Sequence, residues 1–517
     1  MCGIAALFSS RRDPASEPLA AVLRVLEHRG PDGLAAAATG RAVLGQVQLA
    51  IGEVVSQPLR GEDRRLALVT NGRIYNHEQL RSQLLGTHRL YTHSDAELIL
   101  HLYQDLGAGC VHVFEGVFAF FVTDGRRFLA ARDALGVKPL YVGWNAARRD
   151  IWFASEFKAL VPYCDGFKAL PPGSYLTQEG EVRQWFWPGW AARVGTEQQV
   201  SLDELRERLD AALAKRLTND GSLGVFLSGG LDSSALAALA ARRVGALQTF
   251  SAGMEGSRDL DAAREVARML GTRHRDCVFT YDDVTAVLED VIYHLESYDP
   301  ALIRGAIPYY LLSRLAAESA RVVLVGEGAD ELLGGYAHFG TIAQPAAVHR
   351  ECVSLLTSLH GAGLQRVDRM TMAHGLEARV PFLDADLVAW IMSWDPRFKM
   401  HGDYAPEKRL LRLAFQDLLP RPILERKQLD IGAGTGVDLA LLRHADQSVS
   451  DRDLASAAQR FPRDAPTTKE ELLYRTYFEE LFPGDWPRQN VQRWRHLEAG
   501  SPVSGVWVRR GVAPRES

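Results

Sequence analysis

LGVFLSGGLDSSALAALAARRV, residues 223–244, changes character twice within one stretch. LGVFL predicts a buried strand, SGG a tight glycine turn and SSALAALAARRV an Ala/Leu helix. Ser228, Ser233 and the amides of the helix N-terminus face out of such a turn, and with the helix dipole they suit an anion such as pyrophosphate. Asp232 among them makes chemical sense if a magnesium ion sits between its carboxylate and the phosphates. A plain glycine turn with a serine cap is the alternative, but the full string SGGLDSS (228–234) in a strand–turn–helix setting is far more specific than SGG alone. Strand patterns at 246–254 and 320–328, with helices between them, predict a parallel doubly wound sheet that binds ligands at its strand C-terminal ends.

Outward from that turn, GEGADELLGGY (326–336) places Glu327, Asp330 and Glu331 at the end of another strand. Flanking glycines favour a ligand loop over a solvated acidic turn. Lys427, in ERKQ (425–428) ahead of IGAGTG, offers an ammonium for a departing phosphate, although a loop lysine is most often only solvated. Upstream, SLDELRERLDAALAKRL (201–217) predicts a helix opened by a capping box of Ser201 and Glu204. Aromatic, Pro, Gly and polar residues break the periodicity over 185–201, which marks a domain join. Before it, LALVTNG (66–72), FAFFVTD (118–124), RFLAARD (127–133) and DIWFASE (150–156) predict stacked antiparallel strands, with helices over 17–28 and 95–106. The expected organisation is one α+β domain over 2–190, an α/β domain over 201–501 and a loose tail over 502–517.

The chain has 517 residues, too many for one hydrophobic core, and is 47% hydrophobic and 24% charged. Fifty-nine basic against 64 acidic residues leave −5, so no basic surface for nucleic acid or anionic membrane is expected. No apolar run reaches the length of a membrane span, and MCGIAALF lacks the basic lead of a secretory signal. Five scattered cysteines with no CxxC pair point to a reducing, cytoplasmic setting. Cys2 stands apart, because removal of Met1 would put a thiol and a free α-amine on one residue.

MCGIAALF, HRGPDG (28–33), NGRIYNH (71–77), RDALGVKPLY (132–141), SEFKAL (155–160), SGGLDSS, GEGADE and LEARVPFLD (376–384) run in the order of class B glutamine-dependent asparagine synthetases, and TTKEELLYRTYFEELFP near the C-terminus resembles them too. The resemblance spans nearly the whole chain. It implies an N-terminal Ntn-type αββα glutaminase sandwich, then a doubly wound ATP-pyrophosphatase domain. It also implies a carbon–nitrogen ligase using glutamine, ATP and Mg²⁺. By resemblance Cys2 is the nucleophile, Asn71 and Gly72 form the oxyanion hole, and Asp95 grips the donor's ammonium. Ser228, Gly229, Gly230, Asp232 and Ser233 hold pyrophosphate and metal, with Asp330 as second metal carboxylate. Phe226, Ala252 and Gly326 line the adenosine site, Glu327 is the catalytic acid and Lys427 the pyrophosphate lysine. Small-molecule partners follow, with a homodimer left open.

The chain also departs from that family. Gln48 stands where an arginine usually meets the donor carboxylate, and Arg73 where NGE is usual. Arg73 is therefore expected to hold that carboxylate from the opposite wall, unless the donor is a modified glutamine. Around PALIRGAIPYY (300–310), Leu302, Arg304, Gly305 and Ile307 are the expected acceptor contacts, with Ala301 and Ala306 beside them. Hydroxyl and small polar groups are missing there, as they are at Val325 and Ala329. Burying a second carboxylate and an ammonium without partners costs several kcal/mol. The expected acceptor is thus a larger, partly apolar acid, aminated to an amide or hydroxamate. Aspartate is the alternative acceptor, and a non-catalytic nucleotide- or glutamine-sensing module the remote one.

Overall fold

The computed structural model describes residues 2–9, 14–52, 55–62, 64–217, 222–402, 406–427 and 429–493; the tail expected over 502–517 lies outside them. Twelve strands of the described residues form the N-terminal half: β1 (Cys2–Ser9), β2 (Gly33–Thr39), β3 (Ala42–Gln48), β4 (Leu59–Arg60), β5 (Ala67–Ile74), β6 (Gly116–Thr123), β7 (Phe128–Arg132), β8 (Tyr141–Asn145), β9 (Asp150–Ala154), β10 (Gly166–Ala169), β11 (Ser174–Thr177) and β12 (Val182–Gln184). They pair in two six-stranded sheets, ordered β10-β8-β9-β1-β3-β2 and β12-β11-β7-β6-β5-β4.

Side-chain alternation builds the layers. In β1, Ile4, Ala6 and Phe8 meet Val69, Ala119 and Phe121 of the other sheet, while Ala5 and Leu7 join the cluster that includes Leu19 and Leu23 of the helix Glu17–Val25. On the far side, Phe118, Phe120 and Val122 pack against the helices His77–Leu84 and Asp95–Leu106. Helix, sheet, sheet and helix are stacked as the αββα expectation requires. The same alternation turns Cys2, in step with Ile4, and Asn71, in step with Val69, toward the space between the sheets.

The second half is built on five parallel strands: β13 (Leu223–Phe226), β14 (Gln248–Met254), β15 (Arg273–Phe279), β16 (Val322–Leu324) and β17 (Glu377–Arg379). Their order is β15-β14-β13-β16-β17. The order reverses between β13 and β16, so the chain leaves these neighbours on opposite sides and opens a crevice at their C-terminal ends. SGGLDSS follows β13 and GEGADE follows β16. Two local expectations are corrected. The helix expected over 17–28 ends at Val25 and gives way to a 3₁₀ turn, Glu27–Arg29. The capping box at Ser201 is half formed: Ser201 Oγ accepts from Glu204 N, but the Glu204 carboxylate turns to Arg208 at 2.8 Å.

A fully buried ionic network joins the halves. Arg29 donates to Glu156 at 2.6 Å and to both oxygens of Asp368 at 2.8 and 3.1 Å. Arg369 continues it to Asp368 at 3.0 Å and Glu296 at 2.9 Å, and Lys158 closes on Glu156. Burial alone would raise these carboxyls, yet the Lys158, His28 and arginine charges hold Glu156 well below the usual range, and Arg29 and Arg369 hold Asp368 below it. A depressed carboxyl stabilises the fold above its unfolded value, and that contribution is lost as the pH falls. Removing one partner strands a buried charge, so Asp368→Ala should cost about 3–5 kcal/mol near neutrality. The deficit should shrink in acid, where the wild type loses the same interaction. Urea unfolding of both proteins across the acid range checks this, and a pH-independent deficit would contradict it.

Candidate active sites

Cys2 N donates to Asn71 Oδ1 at 3.2 Å, which ties the first strand to β5. The Asn71 side-chain nitrogen is buried beside it without a hydrogen-bond partner among the described residues. Gly72 must be glycine: its φ is +152°, and a Cβ would lie 2.1 Å from the Val117 carbonyl oxygen. Across the β1–β3 ladder Gln48 is the residue paired with Cys2, and its amide donates to Val55 O at 3.2 Å. Asp95 opens its helix and accepts from Ile74 N at 2.6 Å, which fixes it next to Arg73.

Arg73 is half-buried, and its backbone pairs with Val117 of β6. Burial opposes its charge, but the Glu377 and Asp95 carboxylates outweigh that and hold its value up. Glu377 comes from β17, in the other half of the chain. Sequence reading gave β17 no place as a strand, because three residues leave no periodicity. Its buried pair, Arg379 Nε to Glu377 Oε1 at 2.6 Å, lies beside the thiol-bearing site. Arg379 O in turn accepts from Val325 N at 3.0 Å, two residues before Glu327. The two expected sites are therefore separated by β17 and the end of β16.

At the crevice, a cavity of about 130 Å³ is lined by Phe226, Ser228, Gly230, Asp232, Ser233, Ala252, Gly326, Glu327, Asp330 and Lys427, so those sequence-derived residues share one space. Gly229 is not on the lining. Its φ of +69° makes the turn, and a Cβ there would strike Ala262 of the neighbouring helix at 2.4 Å. Ser228 Oγ and Ser233 Oγ lie 3.1 Å apart across the turn. Arg426 donates to Ser228 O at 3.2 Å and pairs with Asp259 at 2.5 Å, a second cation at this turn that the sequence reading missed.

Lys408 was also missed, and it explains the two acidic residues best. Its buried ammonium bridges Asp232 and Asp330, the latter at 2.6 Å. Burial raises Asp232 to about 6 and Asp330 pushes the same way, against the pull of Lys408. Asp232 Oδ1 remains buried without a hydrogen-bond partner. Two carboxylates facing each other around one cation, with a carboxylate oxygen to spare, fit a hard divalent ion such as Mg²⁺.

A second cavity of about 330 Å³ shares Glu327 and Asp330 with the first. Leu302, Arg304 and Gly305 line it, as expected. Ile307 does not: it is buried in the core on the other side of the helix Pro300–Ala317, because residues 302 and 305 share one face and 307 turns away from it. Gly305 makes room for a guanidinium, since a Cβ would meet Arg366 Nη1 at 2.6 Å. Arg366 Nη2 donates to Glu327 Oε1 at 2.6 Å, and the ring of Tyr309 lies 5.5 Å from its guanidinium carbon. Arg304 is held by Glu470 at 2.9 Å. Asp438 Oδ1 is buried on the same lining without a hydrogen-bond partner.

An αββα sandwich with a cysteine at its first strand, joined to a doubly wound sheet with an anion-binding turn at its switch point, defines a two-site amidotransferase class. Comparison with known proteins narrows it. Residues 1–175 match the glutamine amidotransferase domain family, and residues 204–344 and 340–501 match the asparagine synthase family. Asparagine synthetase [glutamine-hydrolyzing] of Triphysaria versicolor is 40% identical, covering 98% of this chain and 91% of its own. That of Sandersonia aurantiaca is 40% identical over 93% and 97%, and asparagine synthetase [glutamine-hydrolyzing] 2 of Arabidopsis thaliana 40% over 98% and 92%. The chain belongs to the glutamine-hydrolysing asparagine synthetase family.

If Lys408 holds the place of a metal ion, Lys408→Met should remove the cation that Asp232 and Asp330 share. The variant should melt lower than wild type, and Mg²⁺ should raise its melting temperature more than it raises that of the wild type. Calorimetry with and without Mg²⁺ decides, and an equal magnesium response in both proteins would contradict the assignment.

Proposed function

We propose that this chain is a carbon–nitrogen ligase that takes nitrogen from the amide of glutamine and joins it to a carboxylic acid activated by ATP. The observation that carries the reading is the pairing of two equipped sites, Cys2 with the unpartnered Asn71 amide and Asp232–Lys408–Asp330 at the switch-point turn, on either side of β17. We take residues 2–190 as the glutaminase domain and 201–501 as the synthetase domain.

In the first, the Cys2 thiolate adds to the glutamine amide carbon, and its own α-amine, held by Asn71 Oδ1, relays the proton to the leaving nitrogen. Asn71 Nδ2 and Gly72 N–H receive the developing oxyanion. Water then releases glutamate and regenerates the thiol. Asp95 meets the donor's ammonium and Arg73 its carboxylate. Ammonia moves past β17 without entering solvent, where protonation would remove its lone pair.

In the second, a carboxylate oxygen of the acceptor attacks the α-phosphorus of ATP, and the bond to pyrophosphate breaks. Lys427, Arg426 and the Ser228–Ser233 turn neutralise the departing charge, and Asp232 and Asp330 would hold the Mg²⁺ that offsets it further. Glu327, which lines both cavities, takes a proton from the attacking ammonia as AMP leaves. Oxide is a hopeless leaving group and AMP a good one, which is why ATP is required.

Aspartate is the acceptor that the cavity chemistry favours. Arg366 supplies a cation for a carboxylate, and Asp438 an unpartnered carboxylate for an ammonium. A larger, partly apolar acid is the second reading, favoured by the Ala301–Leu302 wall and by a cavity roomier than a four-carbon acid needs. Acid-dependent ATP–pyrophosphate exchange across a panel of acids separates them. Exchange with aspartate supports the first, exchange only with bulkier acids the second, and exchange with none would overturn the proposal. Arg73→Ala should raise the glutamine KM about ten- to hundredfold, the loss of one charge-assisted contact, and leave ammonia-dependent synthesis unchanged. An unchanged KM would remove Arg73 from donor binding.

A further inference from the structure

In the glutaminase half, three side chains from three segments point at one spot. Glu62 follows β4, His88 lies in the loop before residue 95, and His101 sits on the helix Asp95–Leu106. His88 Nδ1 and His101 Nδ1 are 3.2 Å apart, and Glu62 Oε1 is 3.4 Å from the first and 3.6 Å from the second. A tetrahedral zinc ion with bonds of about 2.1 Å separates its donor atoms by about 3.4 Å, so the three atoms already stand at ligand spacing.

The remaining ring nitrogens each face a carboxylate. His88 Nε2 faces Asp105 Oδ2 at 2.9 Å, and His101 Nε2 faces Glu97 Oε1 at 3.6 Å. Glu97 is itself held in place by the backbone N–H groups of Tyr91 and Thr92, at 2.7 Å each. An ionised carboxylate only accepts, so His88 carries a proton on Nε2 and turns its Nδ1 lone pair inward, toward His101 Nδ1. Glu62 Oε1 accepts from Arg89 N at 2.8 Å and keeps a further lone pair for the two rings it faces. A carboxylate behind each imidazole is also the arrangement that orients histidine ligands in metal sites.

We infer that Glu62, His88 and His101 form a structural site for one zinc-class transition metal ion, with a fourth position open to water. Two imidazoles and one carboxylate select such an ion over Mg²⁺ or Ca²⁺. The site clips the turn at 61–62 and the loop at 88–94 to the helix that begins with Asp95. His101 lies six residues along that helix from Asp95, about 9 Å by helical rise, so the ion braces the donor pocket without touching it.

The test is zinc binding to the full chain after chelator treatment and dialysis, by competition with a chromophoric chelator, with Co²⁺ absorption as the geometric probe. Wild type and Cys2→Ala should each bind one ion, with a tetrahedral Co²⁺ spectrum and a raised melting temperature. His88→Ala and Glu62→Gln should bind at least about tenfold more weakly and lose the thermal response. No zinc bound by wild type would overturn the inference, as would wild-type affinity in both variants. Loss of binding in Cys2→Ala would move the ion to the thiol and overturn it equally.

Discussion

Arg29 sits in a dry interface and is shared by two carboxylates, Glu156 from its own half and Asp368 from the other. Everything else in the molecule depends on that arrangement. Ions this deeply buried are costly unless every charge has a partner in good geometry. Here each carboxylate meets at least one guanidinium or ammonium, and the chain Lys158–Glu156–Arg29–Asp368–Arg369–Glu296 leaves little tolerance for sliding one half on the other. An apolar interface would bind as tightly and slip more easily.

That fixed register gives β17 its place. Its first residue, Glu377, lends charge to Arg73 in the cysteine site, and its last, Arg379, hydrogen-bonds the strand end that leads to Glu327. Two reactions whose shared intermediate must not meet water are thereby held a few strands apart. The turn RDALGVKPLY belongs to the same scaffold. The Asp133 carboxylate accepts from the N–H groups of Leu135, Val137 and Lys138, and Arg132 reaches three carbonyls, so the segment is rigid where it meets the other half.

Much of this was legible in the residues. FAFFVTD reads as one of several stacked antiparallel strands, and in the fold it is covered by the other sheet on one face and by helices on the other. SGGLDSS announced its turn because glycine and serine have few other reasons to follow an apolar strand. Strand β15, RHRDCVF, was not legible, since an edge strand can be charged and still pair in parallel with β14. Lys408 was invisible for a different reason: its partner Asp232 is 176 residues away, and EKR carries no pattern that names a distant acid. The acceptor wall was half read. Gly305 looked like a lost polar group, whereas its missing side chain admits Arg366. Ile307 looked like a contact because composition does not tell which face of a helix a residue takes.

The claim at the centre is that nitrogen crosses between the halves inside the protein. The direct measurement is product nitrogen when the enzyme turns over amide-¹⁵N-glutamine in unlabelled ammonium buffer near neutral pH, read by mass spectrometry. Product that keeps the ¹⁵N of glutamine is what the buried, registered interface predicts. Product diluted to the isotope ratio of the buffer would mean that the nitrogen is released to solvent and that the interface does not carry it.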